Sequence, residues 1–184
     1  ENKVFITTKV NKVSELRAAL LNDPGVPMTK IMDDAVDTYM EIEMYSVSMK
    51  DKDSPEANKW RENIIDEAEI PSNIERVNGT LGDGTVEIIG YKLNSNRFDP
   101  GADMRIIIYY RVLKLIEKSW KVFFHFDVYS GALPHSWKFD DYPLQGFYPT
   151  NKWEVGQIIR DEFNTVVPKA HPGGGVKIYT GFFI

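Results

Sequence analysis

The pattern of apolar and polar residues predicts β-strands through most of the second half of the chain. Alternate positions from residue 120 onward place one apolar set on a common face: Trp120, Val122, Phe124, Phe126 and Val128. The intervening positions place a more polar set on the opposite face: Lys121, Phe123, His125 and Asp127. This two-residue period is that of a strand with one buried side and one solvent-facing side.

Further strands are predicted on both sides of this one, at Val86–Leu93, Met104–Val112, 157–163 and 176–184. Along Met104–Val112 one face is apolar and the other carries Ile107 and Tyr109, so we expect both faces to be at least partly covered. The dipeptides Asn78-Gly79 and Asp83-Gly84 and the tripeptide Asp99-Pro100-Gly101 predict turns between strands. Many strands separated by such turns predict a mainly β protein with an antiparallel immunoglobulin-like or jelly-roll β-sandwich.

The first 70 residues have a mixed pattern. A short strand is predicted at Lys3–Thr8 and a helix at Asn11–Leu21, where apolar residues recur with helical spacing. Residues 28–49 leave the choice open, since the first half of this span fits a helix and the second half fits a strand. Ser54-Pro55-Glu56 is a typical helix start and predicts a helix that ends near Ile70. We therefore expect a helix-containing segment, residues 1–70, that packs on or leads into a sandwich of residues 71–184.

Composition narrows the classes of function. The 184 residues include no cysteine, which excludes thiol catalysis, disulfides and cysteine-based zinc sites. A net charge of −5 gives no basic footprint for nucleic acid, and no cofactor motif is present, so no cofactor is predicted. The chain starts at Glu1 rather than Met, and we expect it to be a piece of a longer protein, in which a signal peptide or anchor would lie outside this sequence.

Residues 74–184 carry an ordered series of motifs: VEIIGYKL, RFDPGADMRIIIYYRV, VFFHFDVYSG, FDDYP, GFYPTNKWEVGQIIRDEF and KIYTGFF. In order and spacing the series resembles the exoplasmic β-sandwich module of some bacterial multi-pass membrane glycosyltransferases. The resemblance implies a sandwich in an extracytoplasmic setting, periplasmic or at the cell surface, with no catalytic residues of its own. It departs from the module at Gly173–Gly175, and residues 1–70 have no counterpart in it.

Two groups of residues suggest binding chemistry. Trp137, Tyr142, Phe147, Tyr148 and Trp153 cluster in a turn-rich stretch, and aromatic rings of this kind can support the apolar faces of sugars. Structural packing is the competing interpretation for these rings.

His125 and Asp127 share a strand face and are the candidates for a metal site, although no ligand-spacing motif is present and a structural histidine is the better interpretation.

A carboxylate pair is the remaining chemical signal. Asp140 or Asp141 together with Asp161 or Glu162 could serve a carbohydrate-active enzyme, which needs two acids on opposite sides of the scissile bond. The strand pattern, the absence of a catalytic motif and the resemblance together favour instead a non-catalytic extracytoplasmic module that binds or positions a glycan or a cell-envelope partner. A purely structural or assembly module is the third hypothesis.

Overall fold

The computed structural model describes the backbone of residues 2–7, 28–37, 40–48, 58–130, 133–171 and 176–184, with side chains for 58–127, 136–171 and 176–184. By its internal contacts the chain divides into two compact units. The first comprises Glu1–Asn63 and Asp141–Pro149, and the second comprises Ile64–Asp140 and Thr150–Ile184. The helix predicted at Asn11–Leu21 lies outside the described residues.

The first unit contains a three-stranded antiparallel sheet. Its strands are β1 (Asn2–Thr7), β2 (Met28–Asp37) and β3 (Met40–Ser48), in the spatial order β1-β3-β2. The choice left open for this span is decided in favour of a strand at Met28–Asp37. β2 pairs with β3 along one side, with register irregularities at two points, so pairing between strands prevails over a local pattern that also fits a helix.

The predicted helix Ser54–Ile70 is wrong over its described part. Residues Lys59–Asn63 form a 3₁₀ turn, and Ile64–Ile65 form the short strand β4 before a second 3₁₀ turn at Glu67–Glu69. β4 pairs with a later strand through Ile158 and Ile159. Adjacent β-branched isoleucines suit an extended backbone that buries them against a sheet, and this pairing interrupts any helix.

Two antiparallel sheets form the second unit. The five-stranded sheet has the order β4-β10-β7-β6-β5, and the three-stranded sheet has the order β11-β8-β9. Their strands are β5 (Glu75–Leu81), β6 (Val86–Leu93), β7 (Asp103–Val112), β8 (Lys121–Ser130), β9 (Leu133–Asp141), β10 (Ile158–Val166) and β11 (Val176–Phe183). A short 3₁₀ turn of this unit lies at Thr150–Lys152, and another, at Pro143–Gly146, belongs to the first unit. Within the described residues there is no α-helix, so the protein is mainly β.

The two sheets pack face to face through aromatic residues, which confirms the predicted β-sandwich. Phe124 of β8 meets Phe163 of β10 edge-on, with ring centroids 4.9 Å apart. Tyr110 of β7 meets Phe182 of β11 at 5.5 Å. The alternate β7 residues predicted to share a face are all buried on this inner side: Met104, Ile106, Ile108, Tyr110 and Val112.

The opposite face of β7 is covered as well, as its apolar pattern predicts. Ile107 and Tyr109 belong to a buried cluster with Ile89 and Ile158 of the neighbouring strands. Ile70 and Ile74, from the segment between β4 and β5, complete the cluster. The chain just before β5 therefore covers the outer face of the five-stranded sheet.

Two of the three turns predicted from glycine-containing motifs are confirmed. Asp83 and Gly84 have positive φ angles of 54° and 75° in the loop between β5 and β6. Gly101 has a φ of 80° in the connection before β7. Asn78-Gly79 is not a turn: it lies within β5, at a register shift between Arg76 and Gly79, so the glycine accompanies a bulge rather than a reversal.

The strand β9 falls in the stretch that the sequence pattern describes only as turn-rich. It contains Pro134 near its start, and it lies at the edge of the three-stranded sheet. Proline is tolerated at the start of a strand and on an edge, where a missing N–H leaves no ladder partner unsatisfied.

None of the helices in the described part of the chain is long and apolar enough to span a bilayer.

Candidate functional site: the outer face of the three-stranded sheet

Two of the predicted aromatic ligand residues pack inside the second unit, where Trp153 is buried and Trp137 is half-buried. Trp153 is 1% exposed and contacts the rings of Tyr110 and Phe182. Trp137 lies parallel to Phe126 with ring centroids 4.6 Å apart and meets His171 edge-on at 5.5 Å. Both indoles therefore contribute their ring surfaces to packing inside the sandwich.

The other three predicted aromatic residues, Tyr142, Phe147 and Tyr148, belong to the first unit. Tyr148 is buried and stacks on Trp60, with ring centroids 4.3 Å apart and planes inclined by 20°. Arg61 lies over the same Trp60 ring at 4.6 Å, which adds a cation–π contact to the stack. Tyr142 and Phe147 are half-buried.

The candidate carboxylates have separate environments. Asp161 is 1% exposed and points into the space between the two sheets, whereas Asp140 is exposed on β9. Glu162 points to the outside of the five-stranded sheet, where it accepts a hydrogen bond from Arg160 at 2.9 Å. Asp141 accepts a hydrogen bond from the N–H of Tyr142 at 2.7 Å, the turn role that a carboxylate before Tyr-Pro predicts.

His125 and Asp127 share the outer face of β8, as the alternation predicts. In the register with β11, His125 lies opposite Tyr179 and Asp127 lies opposite Lys177. His125 also contacts the ring of Phe123, with centroids 4.8 Å apart. In the described part of the chain, no three His, Cys, Asp or Glu side chains are grouped so that they could hold a metal ion.

Four aromatic side chains lie together on the outer side of β8 and β11. We call this surface the outer aromatic face and define it as Phe123, His125, Tyr179 and Phe183. Tyr179 is 48% exposed and Phe183 is 38% exposed. The ring of Phe123 lies between those of Phe183 and His125, at centroid distances of 6.3 and 4.8 Å, and Tyr179 is the cross-strand partner of His125. Four rings on two adjacent strands thus form a continuous, solvent-accessible surface, and large exposed apolar surfaces often mark binding sites.

Gly181 allows the ring of Phe123 to lie against the sheet. A Cβ atom built on Gly181 would lie 2.7 Å from Cε1 of Phe123, so any larger residue would displace the ring. The two residues are cross-strand partners in the register of β8 and β11. The ring therefore lies low across the neighbouring strand, so that the centre of the outer aromatic face is flat.

Charged residues lie at both ends of the outer aromatic face. Lys177 and Asp127 face each other across β11 and β8 at one end, and Lys121 lies opposite Phe183 at the other. Cross-strand pairs of opposite charge stabilise a sheet modestly and also provide hydrogen-bonding groups for a ligand. The surface thus combines an aromatic centre with a polar rim.

Sequence reasoning placed Phe123 and His125 on the polar side of β8 but did not identify them as a binding surface. The sequence does contain one indication of such a surface: Phe123 is an aromatic residue at a position where the alternation predicts solvent exposure. The partner strand β11 hides this signal, because apolar residues lie on both of its faces and the exposed face is identified only once its register with β8 is known.

No family model matches the chain, and neither the curated proteins nor the solved structures include one that is significantly similar to it.

Proposed function

We propose that the protein is a non-catalytic β-sandwich module that binds carbohydrate on its outer aromatic face. The observation that carries the proposal is the exposure of Tyr179 and Phe183 beside the flat ring of Phe123, on a sheet face whose ends carry charged residues. Pyranose rings present C–H faces that pack on aromatic rings, and their hydroxyl groups require polar partners at the edges.

Binding is favoured over hydrolysis by the position of the acids. A glycosidase needs two carboxyl groups on either side of a bound sugar, within about 5–10 Å of each other. Asp161, one of the candidate acids, is enclosed between the sheets and is inaccessible to a sugar chain. Glu162 is engaged by Arg160 on the opposite outer surface of the sandwich.

The proposed setting is extracytoplasmic, at the cell envelope. It is supported by the ordered motifs of residues 74–184, which resemble the exoplasmic module of membrane glycosyltransferases, and by the absence of cysteine from the sequence. In this setting the partner is an envelope glycan, and an anchor or parent enzyme would be supplied by a segment outside the chain described here.

A glycan array followed by calorimetric titration of the best envelope polysaccharide tests the proposal. Replacing Tyr179 with alanine removes an exposed ring and is expected to weaken binding by roughly tenfold or more, the loss typical of an aromatic contact residue. Val166→Ala is the matched control, because Val166 is also exposed but lies on β10 in the other sheet.

Failure of every polysaccharide to bind would refute the proposal, as would equal affinities of the wild-type protein and Tyr179→Ala. Concentration-dependent self-association that disappears in Tyr179→Ala, without any glycan binding, would instead support the hypothesis of an assembly module. Far-UV circular dichroism of both variants verifies that the sandwich is folded.

A further inference from the structure

Three polar side chains lie in the apolar space between the two sheets of the sandwich. Tyr110 of β7 is completely buried, and Asp161 of β10 is 1% exposed. The hydroxyl oxygen of Thr180 on β11 is buried as well. Burying a hydroxyl group without a hydrogen bond is costly, so the positions of the Tyr110 and Thr180 hydroxyls require an explanation.

The strand registers place the three groups close to one another. Tyr110 is paired with Ile159 and Asp161 with Ile108, so Asp161 is the diagonal neighbour of Tyr110 on the same inner face. On the facing sheet, Thr180 precedes Phe182 by two residues and therefore shares its inward orientation. The ring of Phe182 contacts that of Tyr110, which brings Thr180 next to the same region.

Aromatic contacts close this region on two sides. The Tyr110–Phe182 contact, at 5.5 Å, lies on one side, and the Phe124–Phe163 contact, at 4.9 Å, lies on the other. Asp161 precedes Phe163 by two residues and Thr180 is the cross-strand partner of Phe124, so both belong to the interval between the two contacts. The polar groups thus form a layer that is shielded from bulk solvent by rings.

The hydrogen-bonding capacity of this layer is only partly used. Neither the Tyr110 hydroxyl nor the Thr180 hydroxyl has a hydrogen-bond partner among the residues that the structure describes. Burial, together with the nearby charge of Asp161, holds the pKa of the Tyr110 phenol well above its ordinary value. The phenol therefore stays protonated and is available as a donor.

We infer that the layer binds an internal water molecule shared by the Tyr110 hydroxyl, the Thr180 hydroxyl and the Asp161 carboxylate. The Tyr110 O–H donates to the water oxygen, and the water donates to the Asp161 carboxylate. The Thr180 hydroxyl supplies a third bond as donor or acceptor. Buried waters typically make about three hydrogen bonds to buried polar groups, and these three side chains provide that number.

A double-mutant cycle tests the inference with two variants that each remove a single polar atom or group. Tyr110→Phe and Thr180→Val are each expected to lower the folding equilibrium constant by roughly fivefold, the loss of one buried hydrogen bond. The double variant is expected to lower it by about the same factor as either single variant, because both changes release the same water. Urea titration provides the equilibrium constants.

Tyr109→Phe is the matched control for the cycle. Tyr109 is the next residue on β7, is also buried, and lies on the outer face of the five-stranded sheet. Its effect is expected to add to that of Thr180→Val, since the two sites share no partner. Neutral or stabilising effects of Tyr110→Phe and Thr180→Val would show that the two hydroxyls are dry, and would overturn the inference.

A direct measurement accompanies the cycle. Water-to-protein cross-relaxation in the NMR spectrum is expected at the Thr180 methyl group of the wild-type protein and is expected to disappear in Tyr110→Phe. Absence of this signal from the wild-type protein, or its persistence in Tyr110→Phe, would contradict a water shared by the two hydroxyls.

Discussion

The outer faces of the two sheets in the sandwich differ in how they are covered. On the five-stranded sheet, Ile107 and Tyr109 are buried beneath Ile70 and Ile74 of the segment that precedes β5. On the three-stranded sheet, Tyr179 and Phe183 remain 48% and 38% exposed. Apolar residues on the first surface therefore contribute to folding stability, whereas those on the second remain accessible to a ligand.

The difference is reflected in the composition of the strands. A strand covered on both sides carries apolar residues on both faces, and β7 does so, with the sequence DMRIIIYYRV. A strand with one open side alternates, and β8 does so with Lys121, His125 and Asp127 on its outer side. Phe123 breaks this alternation, because it places an aromatic ring on the outer side of β8. The proposed carbohydrate-binding surface accounts for that ring.

The largest expected effect compares one large-to-small change on each outer face. Ile107→Ala is expected to lower the free energy of unfolding by about 3 kcal/mol, because it removes buried methyl groups and leaves a cavity. Tyr179→Ala is expected to change it by less than about 1 kcal/mol, as is usual for exposed positions. Urea unfolding followed by circular dichroism measures both. Equal losses would show that the face of the three-stranded sheet is also part of the core.

An intermediate effect on the free energy of unfolding is expected when one glycine on each outer face, Gly90 or Gly181, is replaced with alanine. A Cβ on Gly90 would lie 2.5 Å from the carbonyl oxygen of Glu75 and 2.7 Å from Cδ1 of Ile74, so Gly90→Ala forces a backbone shift. We expect it to cost about 1–3 kcal/mol, the range of an overpacked core. Thermal and urea unfolding provide the measurement.

Gly181→Ala is the counterpart on the three-stranded sheet. Its Cβ would meet only the end of the Phe123 ring, at 2.7 Å, and an accessible ring can rotate away. We expect a loss of unfolding free energy below about 1 kcal/mol, partly offset by the lower entropy of the unfolded chain. If Gly181→Ala is as destabilising as Gly90→Ala, then the ring of Phe123 is held as rigidly as a core side chain.

The smallest effect is expected from the ion pairs at the margin of the covered face. Arg111 contacts Glu67 at 2.8 Å and Glu87 at 3.4 Å, and its side chain is 30% exposed. Arg111→Gln is expected to lower the unfolding free energy by about 0.5–1 kcal/mol, and the loss is expected to shrink at high salt. Arg105→Gln is the control, since Arg105 is 52% exposed and reaches Glu162 only at 4.0 Å. Equal losses at low and at high salt would assign the effect of Arg111 to packing.

The sequence by itself determined the strands with strong alternation or continuous apolar runs. It identified β7 as covered on both sides, assigned Phe124 and Phe126 to the inner face of β8, and located the turns at Asp83-Gly84 and Gly101. These features depend on local properties: the two-residue period of a strand and the tolerance of glycine for positive φ.

The tertiary structure alone decided which aromatic residues face solvent. Trp137 and Trp153 lie in a turn-rich stretch that suggests exposure, yet both pack against rings of the sandwich. Tyr179 and Phe183 lie in a strand with apolar residues on both faces, yet both remain exposed. The interruption of the Ser54–Ile70 pattern by β4 has the same origin, because Ile64 and Ile65 find their partners in β10. Burial depends on contacts between residues far apart in the chain, and the local pattern of apolar and polar residues contains no information about which distant strand will cover a given face.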